Sequence, residues 1–261
     1  MTFAVPADAY DAFVGRFSYG LCEALAEAAG ITAESSVLDV GAGTGAGTAR
    51  LVELVGAERV AAVDPSESFL EGLRARFPGV DARVAGAESL PFPDDAFDAA
   101  LAQLVVNFMS DPEAGVAGMR RVTRPGGTLA ACVWDYSGEM TLLQVPWEAA
   151  AALDPDGVEA VDERTRMPFG RNGELRGLWR QSGLAEVEEG EIVVLAEYED
   201  FEDLEDLWRP FTVGVGPAGR YAASLHGERQ EALKAEYRRR LAVPDGAFGL
   251  SARAWFATGI V

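Results

Sequence analysis

Val37-Leu38-Asp39-Val40-Gly41-Ala42-Gly43-Thr44-Gly45 is the stretch on which the reading of this chain turns. An apolar run of strand length carries an acid and then enters a turn with three glycines. A second apolar run, Val60-Ala61-Ala62-Val63, follows and ends in another acid, Asp64. Glycine takes positive φ without steric penalty and lets a backbone approach a ligand closely. The helix expected after the turn presents unpaired N–H groups at its start. An acid at the tip of the neighbouring strand is placed to accept a ribose diol, as in dinucleotide-binding folds. A turn that binds nothing needs one or two glycines, not three before a helix with a distal acid. The pattern implies a bound nucleoside.

Glycine spacing selects the kind of nucleoside. A nicotinamide fingerprint asks for Gly-x-Gly-x-x-Gly, with the pyrophosphate on the helix N-terminus. Gly41 and Gly43 fit, but the third position is Ala46, which that fingerprint only sometimes permits. Gly45 instead completes Gly-x-Gly-x-Gly. Asp39, two residues before the first glycine, suits a cationic amine better than a pyrophosphate. In these residues, and in Leu90-Pro91-Phe92 further along, the chain resembles the class I S-adenosylmethionine (SAM)-dependent methyltransferases, of the small-molecule type with a Leu-Pro-Phe motif. Their first motif reads hydrophobic-Leu-Asp-hydrophobic-Gly-x-Gly-x-Gly, and their ribose acid ends the second strand. The resemblance implies SAM as cofactor and S-adenosylhomocysteine (SAH) as product, with no metal.

Composition bounds the partners. At 261 residues the chain can bury a full core. No apolar run reaches the roughly 18–20 residues that a membrane span needs. Met1 to Tyr10 has no basic residue before an apolar stretch, so no secretory signal is expected. Cys22 and Cys132 fall on different apolar elements and read as cytoplasmic thiols. His226 is the one histidine, which argues against a His/Cys zinc site. A net charge of −20 repels nucleic acid at long range, since gripping phosphates takes Lys and Arg. A cytoplasmic monomer or homodimer is expected, with no nucleic-acid and no membrane partner.

Strand-like and helical stretches alternate through the first half. Residues 8–29 read as helix, broken near Gly15. Strands are expected at 37–40, 59–63, 82–85, 97–103 and 128–134. Helices are expected at 46–54, 66–76 and 112–122, the last entered through Asp111 as N-cap and Pro112 at the first position. Arg124-Pro125-Gly126-Gly127 reads as a turn. This alternation predicts an α/β fold with a parallel sheet covered on both faces. The second half is less regular: a helix over 138–153 interrupted by Pro146, a loop over 154–170, a helix over 171–182, a strand over 186–196, helix over most of 201–241, and a last strand over 248–258. The resemblance supplies the topology: a Rossmann-like three-layer sandwich with a seven-stranded, mostly parallel sheet. Its last strand is antiparallel and inserts beside the fifth. One domain, 1–261, is expected. It has an N-terminal helical lid at 1–30, a SAM-binding core at 35–135 and a helical insertion at 201–241 covering the active site.

Ligands of open α/β sheets bind outside the carboxyl ends of the strands. The first strand end contributes Asp39, Gly41, Ala42, Gly43 and Gly45. By the resemblance this loop passes over the methionine part of SAM, with Asp39 toward its ammonium. Asp64 takes the ribose, beside Pro65 and Ser66; the plain alternative for Asp64 is a helix cap. Ala85-Gly86-Ala87-Glu88-Ser89-Leu90-Pro91-Phe92 is similar to the family segment that borders the adenine. Gly86 stands where that pattern has an acid, leaving the backbone N–H of Ala87 and the neighbouring Glu88 as candidates. At the fourth strand end, Gln103 and Leu104 stand where relatives offer a backbone carbonyl to the ammonium. Asn107 and Phe108 stand where many relatives carry a His-His pair, so the obvious general base is missing. Tyr10 and Arg16 lie in a segment like the family's lid; Arg16 suits the SAM carboxylate because guanidinium forks fit carboxylates.

Methyl transfer is an in-line displacement at a sulfonium carbon and needs no protein nucleophile. Holding the acceptor in near-attack geometry supplies much of the rate. A base is needed only if the acceptor must first lose a proton; Asp135 and His226 are the weak candidates. No Asp/Asn-Pro-Pro-Tyr/Phe motif and no Pro-Cys nucleophile appear. A small-molecule acceptor remains, walled by Asn107, Trp134, Trp147, Phe169, Trp208 and Phe211, with Tyr221 a further aromatic. Two other readings stay open: a methyltransferase fold that catalyses a non-methyl reaction such as cyclisation, and a dinucleotide oxidoreductase.

Overall fold

The computed structural model describes residues 15–137, 140–198, 203–241 and 248–261. Helix α1 (Arg16–Ala28) leads into β1 (Val37–Val40), α2 (Ala46–Val55), β2 (Val60–Asp64), α3 (Glu67–Arg76) and β3 (Asp81–Val84). After β4 (Phe97–Gln103) come α4 (Pro112–Val122) and β5 (Thr123–Trp134). Residues 8–14 of the expected first helix, and Tyr10 with them, lie outside the described residues. The sheet has seven strands in the order β3-β2-β1-β4-β5-β7-β6, with β6 at Ala185–Tyr198 and β7 at Phe248–Ile260. The five N-terminal strands pair in parallel, and β7 runs antiparallel to β5. This is the Rossmann-like topology that the alternation and the resemblance predicted.

The central strands form where they do because they are buried on both faces, whereas β3 at the sheet edge is largely exposed. Every residue of β1 and β2 is buried, as expected of central parallel strands read as continuous apolar runs. The Asp111 carboxylate accepts the Ala114 N–H at 3.0 Å and starts α4 as an N-cap. Leu38, Val63, Ala100, Met119, Leu129 and Trp179 belong to one core cluster on this sheet.

Local details differ from the sequence reading. Arg124 to Gly127 is not a free turn. Thr123 pairs with Phe97 and Thr128 with Ala99, so the four residues bulge out of one long strand. Gly126 and Val261 pin the bulge: the Gly126 N–H donates to the Val261 carbonyl, and the Val261 N–H to the Gly127 carbonyl. The segment expected as loop over 154–170 contains the short helix α6 (Pro155–Glu159) and a 3-10 turn at Glu163–Thr165. Asp154 and Asp162 cap these two starts, accepting the Gly157 and Arg164 N–H groups. Pieces this short show too little apolar periodicity to be read.

The backbone separates into two compact units. The sheet unit comprises Ser18–Trp134, Pro168–Ile192 and Ala254–Val261, and includes α7 (Glu174–Gln181). The helical unit comprises Met1–Phe17, Asp135–Met167 and Val193–Arg253. Its helices are α5 (Thr141–Leu153), α6, α8 (Asp203–Thr212), α9 (Gly216–Ser224) and α10 (Glu228–Leu241). An aromatic cluster forms its core. The ring centroids of Trp208, Phe211 and Tyr237 lie 5.6–5.9 Å apart, and Trp147 lies 5.9 Å from Tyr221. Among the described residues, no helix is long and apolar enough to cross a membrane.

Candidate cofactor site

The strand order reverses between β1 and β4, and crevices at such switch points hold ligands. At the carboxyl end of β1, Gly41, Gly43 and Gly45 all have positive φ, at 75°, 56° and 91°. The N–H groups of Gly41 and Ala42 both donate to the Val63 carbonyl, folding the loop across the end of β2. A Cβ at Gly41 would stand 2.3 Å from a Val105 methyl, so packing there admits only glycine. A Cβ at Gly43 would meet nothing within 4 Å. Gly43 is held by its φ rather than by crowding, and the loop is open on that side. Gly45 is the N-cap of α2 and supplies no side-chain acceptor.

Both acids sit where the strands end. Asp64 is buried, and each of its oxygens holds a backbone N–H. Oδ2 accepts from Gly43 at 2.9 Å and Oδ1 from Ser66 at 2.8 Å. The ribose and cap readings of Asp64 are therefore compatible: an ionised carboxylate has about four lone-pair sites, and the two bonds leave room for a diol. Burial raises the Asp64 carboxyl, and the Ser66 and Gly43 N–H groups oppose that rise. Ser66 is the N-cap of α3 by position, but its side chain makes no cap bond. Asp39 is also buried and accepts the Thr48 hydroxyl at 2.6 Å. Burial pushes its carboxyl up to about 6; Thr48 opposes this, and the nearby Asp64 charge adds to it.

The remaining strand ends are arranged as follows. Leu104 follows β4 with φ 59°, a conformation that costs a non-glycine residue on the order of 1–2 kcal/mol. Its N–H still donates to the Cys132 carbonyl at 2.8 Å. Gln103 turns its amide toward α1, donating from Nε2 to the Ser18 carbonyl at 3.1 Å. Ala87 is buried in a 3-10 turn packed against α4, where a Cβ on Gly118 would lie 2.3 Å from the Ala87 carbonyl oxygen. Glu88 is engaged locally, and its Oε1 accepts from the Ser110 N–H and hydroxyl and from the Asp111 N–H. Pro65 is exposed beside Asp64.

A family model for a methyltransferase domain matches residues 38–131, the segment from β1 into β5. Over these residues the chain is similar to methyltransferase domains. An uncharacterized methyltransferase of Mycobacterium tuberculosis is 38% identical over 134 residues, 51% of this chain and 51% of that protein. A demethylmenaquinone methyltransferase of Tropheryma whipplei is 39% identical over 110 residues, 41% of this chain and 45% of that protein. The chain thus matches about half the length of these curated relatives. Among solved structures, phosphoethanolamine N-methyltransferase 2 of Haemonchus contortus in complex with SAM shares the fold. Its TM-score is 0.60 at 16% identity, over 98% of this chain and 57% of that one.

Away from the glycine loop and the two acids, the sequence-selected residues fall into separate groups. Asn107 and Trp134 are buried in the sheet unit, and Phe169 packs on that unit's core with φ 63°. Trp147, Trp208 and Phe211 meet in the helical unit, lining a cavity of about 10 Å³, space for about one water. The Trp147 indole donates to the buried Glu163 carboxylate at 3.1 Å, and burial pushes Glu163 up to about 7. Asp135 is fully engaged. It pairs with Arg253 at 2.6 Å and accepts from the Ser137 N–H and hydroxyl. His226 is exposed in the loop between α9 and α10. Arg16 opens α1. Among the described residues no group of three or more His, Cys, Asp or Glu could hold a metal.

Sequence reasoning missed Thr48 and Ser18, which hold Asp39 and Gln103. A hydroxyl at the third helical position after a glycine turn was a legible signal for Thr48. The Ser18 carbonyl was not, because it belongs to the backbone of a distant helix.

Proposed function

We propose that this protein transfers a methyl group from SAM to a small-molecule acceptor, mainly by proximity and orientation. The carrying observation is the joint of loop and acid at the switch point: Asp64 bonds the Gly43 N–H beside an open backbone face. That geometry supports Asp64 as the ribose acceptor, with Pro65 alongside, and Gly41, Ala42, Gly43 and Gly45 as the path for the methionine part. Asp39 is a buried acid suited to the ammonium, and Gln103 and Leu104 border it from β4. Ala87 serves the adenine through its backbone. Glu88 contributes mainly by fixing Ser110 and Asp111.

The bound cofactor supplies the electrophilic methyl carbon. The chain's own residues bind it, hold it and exclude water, which is what an in-line displacement requires. Neither Asp135, neutralised by Arg253, nor the exposed His226 has the setting of a general base. An acceptor whose reacting atom needs no deprotonation fits this inventory. The similarity to a demethylmenaquinone methyltransferase supports a small-molecule acceptor as the class.

Calorimetric titration tests the cofactor half. SAH should bind one to one, and a nicotinamide dinucleotide should give no heat; the reverse result overturns the reading. Transfer of labelled methyl from SAM to a panel of small acceptors, quinols included, tests the other half. Cofactor binding without transfer to any of them would favour a non-methyl reaction.

A further inference from the structure

Helix α4 ends in two adjacent cations, Arg120 and Arg121. They stand just before β5, which starts at Thr123 opposite Phe97, and so lie at the amino ends of the parallel strands. The cofactor crevice is at the carboxyl ends, one strand length away, roughly 20 Å at about 3.3 Å per residue. Glu113, Ala117 and Arg120 recur at helical spacing along one stripe of α4. With Arg121, with Gln181 and Ser182 at the end of α7, and with Val261, they line a solvent-open groove of about 420 Å³. All of these residues belong to the sheet unit. The volume falls in the range of small-molecule sites.

The two guanidinium groups differ. Arg121 is occupied by the protein: Nη1 donates to the Phe92 carbonyl and to Asp94, and Nη2 to the Leu90 carbonyl. Arg120 is half-buried and donates from Nη1 to the Ser182 carbonyl at 2.8 Å. That bond holds the fork without cancelling its charge. Among the described residues no carboxylate pairs with Arg120, in a chain with 42 acidic residues against 22 basic ones. Glu113 lies two helical turns away, about 10 Å along the axis, near one Debye length at 0.1 M salt. A helix C-terminus accounts for a cation in its last turn. It does not account for a cation fixed at the wall of a groove and left without a counter-charge.

We propose that this groove is a second ligand site, for a small organic anion carrying a carboxylate or phosphate on a short apolar body. Arg120 takes the oxyanion through the N–H groups that Ser182 leaves free, since guanidinium forks match carboxylate and phosphate. Gln181 and Ser182 supply neutral donors, and the apolar body lies on Ala117 and Val261. The site is separate from the cofactor crevice and does not depend on the SAM reading.

Calorimetric titration with phenyl phosphate, benzoate, inorganic phosphate and neutral benzyl alcohol tests it. Phenyl phosphate or benzoate should bind one per chain, more weakly as salt rises and equally well with SAH present in excess. Benzyl alcohol should give no saturable heat. Arg120→Gln should weaken the organic anion about tenfold or more, the loss expected for hydrogen bonds to a charged group. Ala117→Trp fills the groove from an exposed helical position and keeps both arginines and the Ser182 bond. It should abolish binding even if Arg120→Gln fails to fold. No saturable binding of either organic anion overturns the proposal and leaves the arginines as partners of the helix end. Unchanged affinity in a folded variant, or loss of the probe when SAH is added, overturns it as well. Inorganic phosphate bound as tightly as phenyl phosphate would overturn the assignment to an organic ligand.

Discussion

At the scale of single residues, the two acids divide their work by environment. Asp64 holds the glycine loop and the start of α3 with its two oxygens. Asp64→Ala should weaken SAH binding by about 1–3 kcal/mol, and should also lower the melting temperature, because two N–H groups lose their acceptor. Unchanged affinity with lowered stability would reduce Asp64 to a cap. Asp39 carries a pH signature. The folded protein holds its proton up to about pH 6, and the unfolded chain releases it near 3.8. More protons are bound folded than unfolded in that window, so stability falls as pH rises through it and is level above. Cofactor binding runs the opposite way, because the ammonium needs the ionised form. SAH affinity should rise roughly tenfold from pH 5 to pH 7 and lose this slope in Asp39→Asn. A flat profile in wild-type protein would show that Asp39 does not face the amine.

At the scale of elements, the glycine turn is three positions under different constraints. Gly41 is demanded by contact with Val105, and Gly43 by φ alone. Gly41→Ala should therefore cost more stability than Gly43→Ala, whose penalty is about 1–2 kcal/mol of left-handed strain. Denaturant melts of the two variants check the order, and equal losses would contradict it. In the helical unit, Trp208 stands in an aromatic cluster with Phe211 and Tyr237. Trp208→Ala should destabilise by about 3–5 kcal/mol, as expected for a large buried ring. A loss below about 1 kcal/mol would mean the ring is not core and would return it to the acceptor wall. The helical character of 201–241 was legible in the sequence, but its division into α8, α9 and α10 and their mutual packing were not.

For the whole molecule, charge and ligand set the balance. With a net charge of −20, self-repulsion opposes the compact state, and salt screens it. The melting temperature at neutral pH should rise by several degrees between low and physiological ionic strength; a fall would show that ion pairs outweigh the net charge. SAH at a hundredfold excess over its dissociation constant should stabilise by about 2.7 kcal/mol if it binds only the folded chain.

The sequence by itself determined the sheet's first half, because buried parallel strands and glycine turns are written in local residue order. Val37–Val40 and Phe97–Gln103 sit where their apolar runs end, and α4 starts at its Asp-Pro cap. Positive φ at Gly41 and the acid at Asp64 were likewise readable, since both follow from what one short segment can do. What only the tertiary structure decided involves partners far apart in the chain. Glu88 is drawn to Ser110, Asp135 to Arg253, and Gln103 to Ser18, over separations no local pattern encodes. The aromatic residues of 201–241 were visible as apolar. Whether Trp208, Phe211, Tyr221 and Tyr237 face a ligand or one another depends on how helices close around them, and they close on themselves with room for about one water. A residue type limits the contacts a side chain can make, and the fold chooses among them by bringing one partner near.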